Sequence, residues 1–258
     1  MANERIFKEY ARFYDHYYAD KSYAAEVEFV LSLVSRYRTA PRSVLDMGCG
    51  TARHLECFAA LGLNCHGFDL SQDMLDAAQA RIDNHKIRLS RGDIRSFRTK
   101  QTFDLVVSLF AVMGYLNANE DLVSGFKTAA AHLTTSGVFA FDGWFGPAVL
   151  TQRPEKRHHR YKTGEALITR TAIPQLDPVR QTVTIDYNIQ VNNDRTVQTC
   201  FQESHTMRFF FVQETAALLE MAGLELIAAV PFLQPDHALD FDTWNVTFLA
   251  SKHKKTPR

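Results

Sequence analysis

Asp46, Gly48 and Gly50, followed by Thr51, close the apolar run Ser43-Val44-Leu45-Asp46-Met47. Such a run suits a buried parallel strand, and the two glycines let the backbone turn sharply and come close to a ligand. From Thr51 to Leu61 the apolar spacing is helical, so the glycines sit on a strand-to-helix bend. Asp69 stands nineteen residues beyond Gly50, closing the next strand-like run, Asn64 to Phe68. A carboxylate placed there accepts hydrogen bonds from the hydroxyls of a ribose, so the pair points to an adenosine ligand.

Two details narrow the ligand. A dinucleotide fingerprint requires a third glycine three residues after the second, where this chain has Arg53. Asp46 adds a negative charge at the carboxyl end of the first strand, which repels a pyrophosphate and suits a cation. S-adenosylmethionine is an adenosine ligand of that kind, with a sulfonium, an ammonium and no phosphate. Gly92-Asp93-Ile94 supplies a third landmark after a third strand. Taken singly, the glycine bend could be an ordinary turn, and Asp69-Leu70-Ser71 could merely cap a helix. In this order, the Asp-x-Gly-x-Gly-Thr pattern, Asp69 and Gly92-Asp93-Ile94 resemble the class I S-adenosylmethionine-dependent methyltransferases. Cys49 reads as a small turn residue, since no paired base accompanies it.

The elements that must hold these residues follow from periodicity. Ser22 to Tyr37 has one oily helical face, at Tyr23, Val27, Val30, Leu31 and Val34. Strands are expected at 43–47, 64–68, 86–90, 103–109 and 137–142, alternating with helices at 51–61, 72–83 and 119–133. A helix at 213–222, ended by Gly223, and strands at 224–230 and 244–251 complete the pattern. The fold class is α/β: a Rossmann-like, doubly wound, mostly parallel seven-stranded sheet. Between the fifth strand and the next helix, residues 143–210 hold alternating runs at Ala166 to Ala172, Thr182 to Val191 and Val197 to Phe201. They predict an antiparallel β insertion covering the acceptor site, with residues 1–142 and 211–251 forming the ligand-binding domain. The basic segment Lys156 to Lys162 is expected to be a solvated loop.

Composition excludes several classes. Lysine plus arginine and aspartate plus glutamate number 29 each in 258 residues, so no overall field draws nucleic acid or an acidic membrane. No run reaches the roughly 18 apolar residues of a membrane span. Cys49, Cys57, Cys65 and Cys200 show neither a Cys-x-x-Cys pair nor a secreted framework and are read as reduced thiols. The histidines lack a metal-binding partner set. The expectation is a cytoplasmic enzyme with a small-molecule acceptor and no metal, nucleic acid or membrane partner, as a monomer or homodimer.

Further segments sharpen the resemblance: Tyr14-Asp15-His16-Tyr17-Tyr18, Lys21-Ser22-Tyr23-Ala24-Ala25-Glu26, Ser108-Leu109-Phe110-Ala111-Val112-Met113-Gly114-Tyr115-Leu116 and His205-Thr206-Met207-Arg208-Phe209-Phe210. Over about residues 10 to 230 the chain is similar to the deoxyamino-sugar N-methyltransferases of the desosamine and mycaminose type, which convert a nucleotide-linked 3-amino sugar to its dimethylamine. The resemblance implies that Tyr14 and Tyr23 close over S-adenosylmethionine and that Asp46, Gly48, Gly50, Asp69 and Asp93 contact it, with Leu70, Met74, Ile94 and Leu109 beside them. It implies that Tyr115 faces the acceptor amine. His205, catalytic beside Tyr115, and Glu203, both near the return from the insertion, are further acid–base candidates, or else pair with each other or with loop backbone. Tyr10, Tyr115, Trp144, Arg160 and Arg208 would line the acceptor. One departure stands out. Where the family carries a Gly-Arg-Gly element facing a diphosphate, this chain reads Asp240-Phe241-Asp242-Thr243-Trp244-Asn245. Arg153, Lys156, Arg157 and Arg160 are the cations that could replace that arginine. O-methylation of another metabolite and a non-catalytic nucleoside-binding module are the alternatives.

Overall fold

The computed structural model describes residues 21–163, 166–193 and 196–253; Tyr10 and Tyr14 lie outside them. β1 (Ser43–Met47) runs parallel to β2 (Asn64–Asp69) on one side and β4 (Phe103–Ser108) on the other. β3 (Ile87–Arg91) extends the sheet beyond β2, and β5 (Leu133–Phe145) pairs with β4. β11 (Asn245–Lys252) lies antiparallel against β5, and β10 (Leu224–Pro231) antiparallel against β11. The seven-stranded sheet therefore has the order β3-β2-β1-β4-β5-β11-β10, with β11 alone reversed. The chain changes direction between β1 and β4, and ligands of open α/β sheets sit at the carboxyl ends of strands at such a point.

Alternation along the strands builds two cores. Leu45, Met47, Val106, Phe139, Phe141 and Phe248 face α4 (Asn119–His132) and α6 (Val212–Met221). Val44, Leu105, Val107, Val138, Ala140 and Leu249 face α1 (Tyr23–Ser35), α2 (Arg53–Ala60) and α3 (Gln72–Arg81). Period two puts successive side chains on opposite faces, so a strand buried on both sides reads as a continuous apolar run. Phe141 stacks on Phe139 at 5.1 Å and on Phe248 at 4.9 Å, which fastens β5 to β11.

After β5, α5 (Gly146–Gln152) leads into four antiparallel strands: β6 (Arg157–Thr163), β7 (Ala166–Asp177), β8 (Thr182–Asn193) and β9 (Thr196–Phe210). The end of β9 pairs in parallel with β5, Trp144 opposite Phe209 and Phe145 opposite Phe210, so the insertion and the seven strands form one eleven-stranded sheet. The basic segment 156–162 is a correction to the expected loop. From Arg157 onward it is the edge strand β6, paired with β7 from Arg157–Ala172 to Thr163–Ala166. Its residues show no apolar alternation because an outermost strand carries charge where a central one carries oil.

Candidate active site

The glycine bend is held from beneath. Gly48 and Cys49 both donate their N–H to the Phe68 carbonyl, at 2.8 and 3.1 Å. Gly48 adopts φ +82°, and a Cβ on it would come within 2.4 Å of Val112 Cγ1. Glycine is therefore required there on both counts. Asp69 joins two elements: Oδ2 accepts the Gly50 N–H at 2.8 Å and Oδ1 the Ser71 N–H at 2.8 Å. Ser71 then caps α3, its Oγ accepting from Met74 N. Burial pushes the Asp69 carboxyl above its ordinary value, against the opposing effect of those two donors. Asp93 is instead held below its ordinary value by the Arg95 guanidinium, which forks onto it at 2.6 to 3.2 Å.

A cavity of about 710 Å³ opens above this bend, within the size range of small-molecule sites. Tyr23, Gly48, Gly50, Asp69, Leu70, Met74, Asp93, Ile94 and Leu109 all line it. Asp46 is not among the residues lining the cavity; it is buried, 1% exposed, beneath the bend. Its Oδ2 meets no donor among the described residues. Burial, with Asp69 and Asp142 nearby, raises its pKa to about 8. Asp142, at the carboxyl end of β5, does line the cavity; it accepts from Ala111 N at 3.1 Å, and burial raises it to about 7.

A second buried group stands on the same wall. Glu26 binds Lys21 Nζ and, at 2.7 Å, His54 Nε2. Burial pushes Glu26 upward, yet these two partners hold it below its ordinary value. Tyr23 meets the His54 ring edge-on at 5.0 Å, and Lys21 Nζ lies 4.3 Å from the Phe110 ring centroid.

At the far end the wall comes from β5, β8, β9 and the turn Val112–Tyr115. Phe110 and Ala111 enter that turn with left-handed backbones, and Gly114 lies 3.0 Å (as a built Cβ) from Met207 Cε. Tyr115 Oη is 2.7 Å from His205 Nδ1, and His205 Nε2 is 3.1 Å from Glu203 Oε2. The Tyr187 ring meets His205 edge-on at 5.3 Å. Trp144 and Trp244 lie 6.2 Å apart beside them.

The structure thus gathers Tyr115, His205 and Trp144 at one wall but places two expected acceptor residues elsewhere. Arg160 is exposed on β6 and does not line the cavity. Arg208 is buried behind Gly114, with Nη2 2.6 Å from Glu214 Oε1 and Nη1 3.4 Å from the Asn117 carbonyl; it braces the turn to α6. Arg153, Lys156 and Arg157 are likewise outside the cavity wall. The Cys49 thiol is buried and raised well above its ordinary value, in keeping with a turn residue. Sequence reasoning missed Asp142, Glu26, His54, Tyr187 and Trp244. Asp142 alone left a signal, an acid ending the apolar run Val138 to Phe141.

Residues 44–137 match the family model of a methyltransferase domain. Over 141 residues the chain is 37% identical to the dTDP-3-amino-3,4,6-trideoxy-alpha-D-glucopyranose N,N-dimethyltransferase of Streptomyces venezuelae, a match covering 54% of this chain and 59% of that relative's length. It is 29% identical to the dTDP-4-amino-2,3,4,6-tetradeoxy-D-glucose N,N-dimethyltransferase of Saccharopolyspora spinosa, over 84% of this chain and 85% of the relative. The crystal structure of Streptomyces venezuelae DesVI superposes with a TM-score of 0.79 at 26% identity, covering 95% of this chain and 98% of the other.

Proposed function

We propose that this methyltransferase moves methyl groups from S-adenosylmethionine to the amine of a deoxyamino sugar. The observation that carries the reading is a single cavity with the glycine bend and Asp69 at one end and Tyr115 and His205 at the other. Two features fit a cationic nucleoside: the buried Asp46 oxygen without a donor, and the companion acids Asp69 and Asp142. Acids gathered in a concave, poorly hydrated site attract a positive ligand strongly even when the whole protein is neutral.

When bound, S-adenosylmethionine supplies a methyl group already activated by its sulfonium. The chain's own residues must then align and protect. Asp69 and the Gly48–Gly50 backbone seat the nucleoside, and Tyr23 and Leu109 flank it. Trp144, Ile185, Tyr187 and Met207 keep water from the acceptor end. Tyr115 offers its hydroxyl oxygen to the amine. Holding two reactants in line recovers on the order of 7–11 kcal/mol of barrier, so alignment carries most of the rate.

The test is incubation of the purified protein with labelled S-adenosylmethionine and a panel of amino and hydroxy sugars, read by mass spectrometry. Two methyl additions on one amine support the proposal. A single addition on oxygen would replace it with O-methyl transfer, and binding without transfer with a regulatory role.

A second reading concerns the acceptor's carrier. The relatives named above act on dTDP-linked sugars, and a diphosphate calls for cations. Among the described residues, the lysine and arginines lining the cavity lie at positions 21, 53, 91 and 95, and none comes from β5, β8, β9 or the segment before β11. That segment brings Asp240, Asp242 and Trp244 instead. A glycosidic carrier without a diphosphate fits the acidic segment before β11. Competition between thymidine diphosphate and the acceptor separates the two: inhibition supports the nucleotide-linked sugar, and no inhibition the neutral carrier.

A further inference from the structure

Strand β9 carries Glu203, His205 and Met207 on one face, and its partner β8 places Tyr187 opposite Glu203 and Ile185 opposite His205. The side chains of His205 and Glu203 are only 5% and 8% exposed. A carboxylate accepts hydrogen bonds and cannot donate them, so the 3.1 Å contact requires the proton on His205 Nε2. In the neutral ring that leaves Nδ1 as an acceptor, and the 2.7 Å contact is then donated by the Tyr115 hydroxyl. With its only proton committed to His205, Tyr115 can present lone pairs alone to the cavity.

We propose that Tyr115, His205 and Glu203 form a one-way proton outlet for the acceptor amine, with Glu203 as the positioning residue that sets its direction. The proposal rests on the amine-transfer reading above and deepens it. In the transfer step the amine lone pair forms the new N–C bond, and the C–S bond breaks with its electron pair staying on sulfur. The nitrogen is then an ammonium and has no lone pair for a second methyl. Its N–H bond breaks, leaving the pair on nitrogen, and the proton passes to Tyr115 Oη as the Tyr115 proton passes to His205 Nδ1. The imidazolium so formed lies against the Glu203 carboxylate and releases its proton to water when the products leave. The amine has regained its lone pair and can accept again. Among the described residues, Tyr187 is a further titratable side chain packed on His205, and the Arg170 guanidinium lies 5.2 Å from the Tyr187 ring centroid. A donor that only filled space would need no such order of partners.

Two measurements test the outlet. Long-range proton–nitrogen NMR on histidine-labelled protein reads the tautomer of His205 without any acceptor: Nε2–H is expected in the wild type, and Nδ1–H would overturn the proposal whatever the substrate proves to be. Kinetics on an acceptor amine then compare Glu203→Gln, which keeps shape and removes charge, with Glu203→Asp, which restores the charge. For Glu203→Gln the expected outcome is a kcat lowered on the order of tenfold, less than the 10²- to 10⁴-fold of a removed acid–base group because Tyr115 and His205 remain. The KM for S-adenosylmethionine stays unchanged, and monomethylated amine accumulates. Glu203→Asp should recover part of both kcat and the dimethyl product. Wild-type kcat and product ratio in a folded Glu203→Gln protein would refute the outlet and leave the methyltransferase reading standing.

Discussion

Asp46 is a buried carboxyl whose Oδ2 lacks a donor and whose ligand-free pKa is about 8, above the ordinary 3.8. Between those two values the native state holds a proton that the unfolded chain has lost, so the contribution of Asp46 to stability is greatest at low pH and falls as pH rises from near 4 to about 8. Asp46→Asn keeps the shape and removes this titration. The variant's ligand-free melting temperature is therefore expected to exceed that of the wild type at pH 8 and to match it more closely at pH 5, read by scanning calorimetry. Affinity for S-adenosylmethionine moves the opposite way. A cation favours the ionised carboxyls, so wild-type binding tightens as pH climbs through 7 to 8, and Asp46→Asn weakens it by about tenfold, ~1.4 kcal/mol. Titration calorimetry from pH 6 to 8.5 checks both signs. Spacing alone located Asp46 and Asp69, because strand-end acids beside a glycine bend leave a local signature. Asp142 joins them from almost a hundred residues away, and no local pattern records that meeting.

Among the elements, the turn Val112–Tyr115 depends on a partner that reads like a ligand residue in sequence. Arg208 sits on β9 one residue before Phe209, yet its guanidinium binds Glu214 and the Asn117 carbonyl. Arg208→Met is expected to lower stability by ~2 kcal/mol, less than the 3–5 kcal/mol of a wholly buried broken pair, because Glu214 is partly exposed. The KM for the acceptor should hardly change; a tenfold rise with unaltered denaturation would return Arg208 to the acceptor wall. The central parallel strands were legible because they are continuous apolar runs, and their helices because one face of each is apolar. Strand β6 was not, since Arg157 to Lys162 owe their extended form to hydrogen bonds with β7 and to no preference of their own. Helix α5 was missed for a related reason: seven residues opened by Gly146-Pro147 are too few to show a helical period.

For the molecule as a whole, equal numbers of acidic and basic residues mean that attraction of the donor is a local affair. Charges sunk in a concave wall are poorly screened, whereas surface fields fade beyond a Debye length of about 10 Å at 0.1 M salt. Raising ionic strength from about 0.05 to 0.5 M should therefore change the Kd for S-adenosylmethionine by less than about threefold. A steep decline would place the attraction on exposed groups instead. Alternating strands and helices made the seven-stranded plan readable from sequence. The fusion of the insertion with that sheet was not, because it rests on two residue pairs, Trp144–Phe209 and Phe145–Phe210.

That seam has a consequence for how such a protein changes over generations. The seven-stranded sheet and the antiparallel insertion share one hydrogen-bonded fabric where β9 meets β5. On the proposed function, cavity-facing positions on β8 and β9 such as Ile185 and Met207 are the ones whose exchange would alter which recipient is welcomed while the donor's berth stays undisturbed. Selectivity and chemistry become separately editable on a common frame.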